Sequence, residues 1–287
     1  LWLVDYEFAI LRSSDLKSWT ISQRFTIDKA WECPDLFQLE NVDNPNVKRW
    51  AFWSADGYYC LGDFDGFTFK PITGLQEAYS TSLPYAAQTF SGIEDRVVSI
   101  AWLRTKNEGR LYTGAMTIPK ELFIVTTKDG ERLAQIPIRE YLSKRKLIYD
   151  KSFKTGHDLS AKHMLVENMK DRVIEVAFKF SYNDKQLSGC YELFYGDEVC
   201  TIDIEKNIIR YEGCRISDDL ENVKTVKLDD KICDLQIIFD YEIIEIIGNC
   251  GTIYAAFEAA RQDNRSLSMD VPKNCEDNLI RIYEFMG

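Results

Sequence analysis

The sequence predicts an all-β protein. Three observations favour this class: 13% of the 287 residues are aromatic, short segments rich in β-branched and aromatic residues recur, and Asp-Gly pairs mark tight turns between them. The first such segments are 50–54, 58–62 and 96–102. Strands this short and closely spaced are typical of a propeller or a sandwich, and periodicity does not choose between the two.

The pattern changes near residue 138. The segment 138–147 is short and charged, and it is the only convincing helical pattern in the first half of the sequence, so we predict a helical connector there. Beyond it, the segment 173–180 alternates apolar and polar residues as a half-buried strand does. Further strands are predicted at 199–204, 235–239 and 243–247. Their spacing predicts a β-sandwich in the second half of the chain.

Composition excludes several classes of function. The formal net charge of −11 repels nucleic-acid backbones, and no apolar stretch has the length of a transmembrane span, so we expect neither nucleic acid nor membrane as partners. The eight cysteines contain no C-x-x-C pair and the two histidines are six residues apart, so the sequence predicts no metal and no cofactor. The cysteines leave the compartment, cytoplasmic or secreted, open.

The sharpest candidate for chemistry is the heptapeptide Trp31-Glu-Cys-Pro-Asp-Leu-Phe37. A carboxyl flanked by Trp and Cys-Pro is expected in an apolar, sterically fixed setting. Such a setting disfavours the charged form, as a general acid working near neutral pH requires. Residue chemistry alone favours the other interpretation, in which Glu32 is a strand-edge residue that faces water.

The heptapeptide resembles the Glu-Cys-Pro motif of glycoside hydrolase family 32, which contains invertases, levanases, inulinases and sucrose-6-phosphate hydrolases. Further segments resemble motifs of the same family in the same order: 13–19, 59–69, 85–90, 100–103, 114–122, 129–133, 137–140 and 239–251. In the last of these, Asp240, Glu245, Asn249 and Gly251 keep the family's spacing, while a Ser and a Phe of the family's pattern are replaced.

The resemblance implies a fold: part of a five-bladed β-propeller followed by a C-terminal β-sandwich. We therefore expect C-terminal propeller blades over 1–135, a short helical linker over 136–148 and the sandwich over 149–287. The resemblance also places the first blades ahead of residue 1. The chain would then be the C-terminal portion of a longer protein.

The resemblance also implies roles for individual residues. It makes Glu32 the acid/base catalyst, and it places Trp102 and Tyr85 at aromatic positions of the fructose pocket, where core packing is the alternative. Cys33 adjoins the acid and is expected either to tune its environment or to be a small buried side chain. Asp35, Asp63 and Asp65 are expected to be turn and strand-end residues.

The expected activity is retaining hydrolysis of β-fructofuranosidic bonds in sucrose or related fructosides, with a lean to sucrose or sucrose-6-phosphate. Retention needs two carboxyls about 5–5.5 Å apart. The family's nucleophile is the Asp of an Asn-Asp-Pro-Asn-Gly motif, and a third carboxylate lies in Arg-Asp-Pro; neither motif occurs in the 287 residues. We therefore expect the chain alone to be inactive. The alternative is a non-catalytic carbohydrate-binding relative.

Overall fold

The structure, a computed structural model, describes most of the chain. The described ranges are 2–4, 7–107, 109–153, 163–170, 172–180, 189–212, 225–227, 231–259, 265–272 and 278–286. The prediction that the sequence has no metal site also covers three residues outside these ranges: Cys214, Cys275 and His157. Within them, no helix has the length and apolar character needed to cross a membrane.

The chain divides into two compact units, each made of segments that are not contiguous in the sequence. The first contains Leu1–Arg104, Ala115–Ile138 and Gly251–Ile253; the second contains Thr105–Gly114, Arg139–Cys250 and Tyr254–Gly287. The contiguous domain bounds drawn from the sequence (1–135, 136–148 and 149–287) stay a prediction.

The first unit is built from three antiparallel sheets. The first sheet consists of β1 (Trp2–Val4), β2 (Glu7–Arg12) and β3 (Thr20–Phe25). The second consists of β4 (Asp35–Glu40), β5 (Lys48–Trp53), β6 (Tyr58–Phe64), β7 (Phe69–Pro71) and β8 (Gln76–Glu77). The third consists of β9 (Pro84–Thr89), β10 (Val97–Leu103), β11 (Ala115–Met116), β12 (Lys120–Thr127) and β13 (Gly130–Pro137).

Aromatic packing and backbone hydrogen bonds join these sheets. Phe8 of the first sheet meets Phe52 of the second edge to face, with ring centroids 4.8 Å apart, and both rings are fully buried. Burying two such rings removes a large apolar area from water and fixes their geometry. The second and third sheets meet where the backbone N–H of Val42 donates to the carbonyl of Ile124 at 2.9 Å. Sheets of this size arranged side by side are the blades expected from the sequence.

The helical connector is shorter than predicted. The helix α1 spans only Arg139–Ser143, and the strand β14 (Arg145–Phe153) begins two residues later. Leu147 pairs with Tyr283 of the strand β25 (Asn278–Phe285), because a β-prone Leu-Ile-Tyr run with a partner strand gains more from the sheet ladder than from one more helical turn.

The second unit is built mainly from two sheets of six strands each. One sheet contains β14, β16 (Val173–Lys179), β21 (Asp234–Asp240), β22 (Ile243–Gly248), β23 (Ile253–Glu258) and β25. The other contains β15 (His163–Val166), β17 (Cys190–Tyr195), β18 (Glu198–Asp203), β19 (Ile208–Glu212), β20 (Thr225–Lys227) and β24 (Leu267–Asp270).

The two sheets pack face to face through buried rings. Tyr195 lies 4.9 Å from Phe239, and Tyr211 lies 5.2 Å from Phe257, measured between ring centroids. In each pair, one ring comes from each sheet. This is the interdigitation that a sandwich core requires, and it agrees with the sandwich predicted from the strand spacing.

Candidate active site

The loop between β3 and β4 carries the heptapeptide. The backbone turns at Cys33, whose φ is 48°, and β4 begins two residues later. Trp31 is 44% exposed and Glu32 is also exposed. The prediction of an apolar setting for the Glu32 carboxyl is therefore wrong, because both Glu32 and the neighbouring Trp31 are exposed to water.

Hydrogen bonds fix this loop to two other parts of the first unit. The N–H of Ala55, in the turn between β5 and β6, donates to the carbonyl of Glu32 at 2.9 Å. The N–H of Ala86 on β9 donates to the carbonyl of Ala55 at 2.7 Å, and Gln88 Nε2 donates to the carbonyl of Cys33 at 3.2 Å. The exposed carboxyl thus stands on a well-anchored backbone.

The aspartates near the motifs have structural partners. Asp35 Oδ2 accepts hydrogen bonds from both the N–H and the hydroxyl of Thr89, each at 2.8 Å, and so joins β4 to β9. Asp65 accepts from the N–H groups of Phe67 and Thr68, and these bonds lower the pKa of its carboxyl. Both roles agree with the prediction that these residues hold turns and strand ends.

Tyr85 and Trp102 lie together, as the fructose-pocket prediction requires. They are cross-strand partners on β9 and β10, with ring centroids 6.2 Å apart and an interplanar angle of 78°. Trp102 is 44% exposed and Tyr85 is half-buried. Neither ring is fully buried, and the assignment of the pair to a fructose pocket stays a prediction beside the core-packing alternative.

Two residues near the candidate site were not identified from the sequence. Arg104 lies just beyond the end of β10, with its guanidinium 4.2 Å from the centroid of the Tyr85 ring and 3.8 Å from the carboxylate of Asp56. For Asp56, the sequence predicts only a place in the tight turn Asp56-Gly57. The spacing of Trp102 and Arg104, two residues apart and so on one face of an extended strand, was the available signal.

The thiol of Cys33 is the remaining predicted neighbour of the acid. It is half-buried, and burial together with the negative charge of Glu32 raises its pKa. A raised pKa keeps the thiol protonated and poorly reactive at neutral pH. Whether Cys33 tunes the environment of the acid or is only a small packing residue stays a prediction.

A cleft of about 350 Å³ lies beside the same motif but does not include the candidate residues. Its lining includes Ile10, Pro34, Asp35, Trp50 and Phe64. Glu32, Tyr85 and Trp102 are not part of that lining. Among the described residues, no group of three or more His, Cys, Asp or Glu side chains is arranged to hold a metal ion.

Comparison with known families gives the assignment. Residues 4–137 match the sequence model described as "Glycosyl hydrolases family 32 N-terminal domain". The matched region, residues 4–137, belongs to glycosyl hydrolase family 32. This confirms the resemblance drawn from the ordered motifs.

Curated relatives of the chain include a levanase, a sucrose-6-phosphate hydrolase and an invertase. A levanase of Bacillus subtilis is 32% identical over 158 residues, which is 46% of this chain and 23% of the levanase. A sucrose-6-phosphate hydrolase of Zymomonas mobilis is 25% identical over 270 residues, which is 83% of this chain and 51% of that protein. An invertase of Debaryomyces hansenii is 33% identical over 114 residues, 34% of this chain and 21% of the invertase. The chain thus spans at most about half the length of these relatives.

Solved structures share the fold. The exo-inulinase of Aspergillus awamori superimposes with a TM-score of 0.78 at 20% identity, covering 98% of this chain and 62% of the inulinase. A variant fructofuranosidase of Schwanniomyces occidentalis, complexed with fructosylnystose, gives a TM-score of 0.75 at 16% identity, covering 98% of this chain and 65% of that chain. The family 32 fold of this chain is part of a β-propeller followed by a β-sandwich, as predicted.

Proposed function

We propose that the protein containing this chain hydrolyses β-fructofuranosidic bonds in sucrose or related fructosides, with retention of configuration. The observation that carries the proposal is the arrangement around Glu32. Glu32 presents an exposed carboxyl on a fixed loop. The carbonyl of the adjacent Cys33 accepts a hydrogen bond from Gln88 of β9, the strand that also carries Tyr85. Tyr85 in turn pairs with the exposed ring of Trp102. An acid beside an aromatic platform is suited to protonating the oxygen of a bound glycoside.

Each residue has a separate task in this proposal. Glu32 protonates the leaving glycosidic oxygen in the first step and removes a proton from water in the second. Trp102 and Tyr85 bind the apolar face of the fructosyl ring. Cys33 keeps the loop packed beneath the acid. The names of the levanase, invertase and sucrose-6-phosphate hydrolase relatives support a fructoside as the substrate.

The second carboxyl of a retaining mechanism has no candidate from the family motif in these 287 residues, since Asn-Asp-Pro-Asn-Gly is absent from the sequence. We therefore infer that the 287-residue chain alone does not turn over sucrose. Measurable hydrolysis by the purified chain would contradict this inference. It would require a nucleophile among the carboxylates that the chain does contain.

The test of the proposal is sucrose hydrolysis by the full-length product of the gene, compared with its Glu32→Gln variant. Loss of a general acid/base reduces the rate by roughly two orders of magnitude or more. Glu94→Gln is the matched control, because Glu94 is another exposed glutamate of the first unit and has no assigned role. If Glu32→Gln retains the parent's turnover, the assignment of Glu32 is wrong. If the parent binds fructosides without cleaving them, the carbohydrate-binding alternative is correct.

A further inference from the structure

Arg104 is held from three sides within the first unit. Its guanidinium lies over the ring of Tyr85, 4.2 Å from the centroid. One terminal nitrogen donates to the carbonyl of Ser82 and lies 3.8 Å from a carboxylate oxygen of Asp56. A free arginine side chain samples many rotamers, and three simultaneous partners remove most of that freedom. The fold therefore places this positive charge at a defined position.

The turn between β5 and β6 connects Arg104 to the loop of the candidate acid. The backbone of Glu32 is hydrogen-bonded to Ala55, the residue directly before Asp56. Burial lowers the pKa of Arg104, and the charges of Asp56 and Glu32 oppose that effect. Burial raises the pKa of Asp56, and Arg104 opposes that effect. The guanidinium remains protonated across the range in which enzymes work.

We propose that Arg104 is a positioning residue of the candidate site, which holds the ring of Tyr85 in place and supplies a positive charge shared by Glu32 and Asp56. This inference rests on the function proposed above. The planar guanidinium is needed for stacking on the phenol ring, which an ammonium group does not reproduce. The positive charge has a second role, which concerns the acid/base chemistry.

An acid/base catalyst must be protonated when it gives its proton and ionised when it takes one. A nearby cation favours the ionised form, and a nearby anion favours the protonated form. Arg104 and Asp56, whose charged groups lie 3.8 Å apart, bring one charge of each sign to this site. The other titratable groups of this loop are Asp28, Lys29 and Cys33. The ammonium group of Lys29 lies over the ring of Tyr58, 5.4 Å from its centroid.

The experiment is the pH dependence of kcat/KM for sucrose, measured on the full-length gene product and three variants. Arg104→Met keeps an unbranched stem but removes the charge, so the basic limb of the profile should move to higher pH by about half a unit or more. Arg104→Lys keeps the charge, so the limb should stay while KM rises several-fold through loss of stacking. Asp56→Asn should move the limb to lower pH, because it removes the competing negative charge.

Near-UV circular dichroism of the same variants reports the aromatic pair without requiring turnover. Arg104→Met should weaken the signal of the Tyr85–Trp102 pair while the far-UV spectrum stays that of the parent. A pH profile and a near-UV spectrum that are unchanged in Arg104→Met would overturn the proposal for Arg104. The proposed function fails separately, if the parent does not cleave fructosides or if Glu32→Gln retains its activity.

Discussion

Glu32 of the first unit differs from several buried carboxylates of the second unit. In the first unit, Glu32 is exposed on a loop whose backbone, not whose carboxyl, is held by hydrogen bonds. In the second unit, several carboxylates are buried and hydrogen-bonded. Glu198 accepts from the hydroxyl of Tyr211 at 2.7 Å, and Glu245 accepts from that of Tyr254 at 2.6 Å. An exposed carboxyl can meet a substrate, whereas a buried and bonded one holds the fold.

The segment Thr105–Gly114 shows the structural use most clearly. Glu258 accepts the backbone N–H groups of Lys106 and Asn107 with its two oxygens, at 3.0 and 2.8 Å. Glu242 pairs with Arg110 at 3.0 Å. Two buried carboxylates thus hold a loop within the second unit, and this loop begins directly after Arg104 in the chain. Charge alone does not distinguish a catalytic acid from an anchor; exposure and hydrogen-bond partners do.

The largest expected effect is the loss of turnover when the exposed carboxylate Glu32 of the first unit is replaced. Glu32→Gln should lower turnover of the full-length protein by about a hundredfold or more and leave its thermal unfolding midpoint unchanged, because the side chain is exposed. Parallel kinetic and calorimetric measurements check this. A large drop in the unfolding midpoint would mean that Glu32 has a structural role and that the contrast between the units is false.

Arg145→Met is expected to have the opposite outcome, a loss of stability rather than of turnover. Arg145 is the charged partner of Glu175, whose side chain is 1% exposed. Leaving that carboxyl buried without its charged partner should reduce the free energy of unfolding by about 3 kcal/mol. Chemical denaturation measures the change. Arg281→Met is the matched control on the same sheet, because its pair with Asp150 is exposed and should contribute less than about 1 kcal/mol.

The loss of unfolding free energy in Arg145→Met, called the deficit below, should also depend on pH. Burial raises the pKa of Glu175 despite the opposing effect of Arg145. A carboxyl whose pKa is raised by folding favours the unfolded state as pH rises, since the unfolded chain ionises more readily. Losing Arg145 strengthens this effect, so the deficit should be larger near neutral pH than at about pH 5. A deficit that does not change with pH would mean that lost packing against the Tyr283 ring dominates.

Trp102→Ala should affect binding more than folding. If the exposed indole stacks on the fructosyl ring, its removal should raise KM for sucrose about tenfold, equivalent to roughly 1.4 kcal/mol. Trp19→Ala is the matched control, since Trp19 is 52% exposed in the same unit and lies in a turn segment without assigned chemistry. Equal effects of the two substitutions on KM would remove Trp102 from the proposed site.

The smallest expected effect concerns Asp15, which resembles Glu32 in exposure but not in role. Its carboxylate accepts from the N–H groups of Lys17 and Ser18, and these bonds lower its pKa to about 2. These bonds therefore stabilise the fold at pH values above the pKa of Asp15 in the unfolded chain. The stabilisation is lost as pH falls through the pKa of Asp15 in the folded chain. Asp15→Asn should slightly lower the unfolding midpoint at neutral pH, and the difference should narrow from about pH 5 to about pH 3. Thermal scans across that range measure it.

Much of the fold could be predicted from local patterns. Alternation gave the strand at 173–180, and the structure has β16 over Val173–Lys179. The connector was only partly correct, because its second half pairs with β25, a partner more than a hundred residues away. Gly251 needed the structure to be understood: its φ is 92°, and an added Cβ would lie 2.8 Å from the backbone of Gln135.

The sequence by itself determined the family, the all-β class and the residue proposed as the acid, because these depend on residue order and on periodicity along the chain. The tertiary structure decided the surroundings of Glu32, since exposure depends on which distant segments come near. It also brought Arg104 and Asp56 to the candidate site. Their proximity depends on how the turn between β5 and β6 lies against the end of β10, and no pattern along the chain encodes that contact.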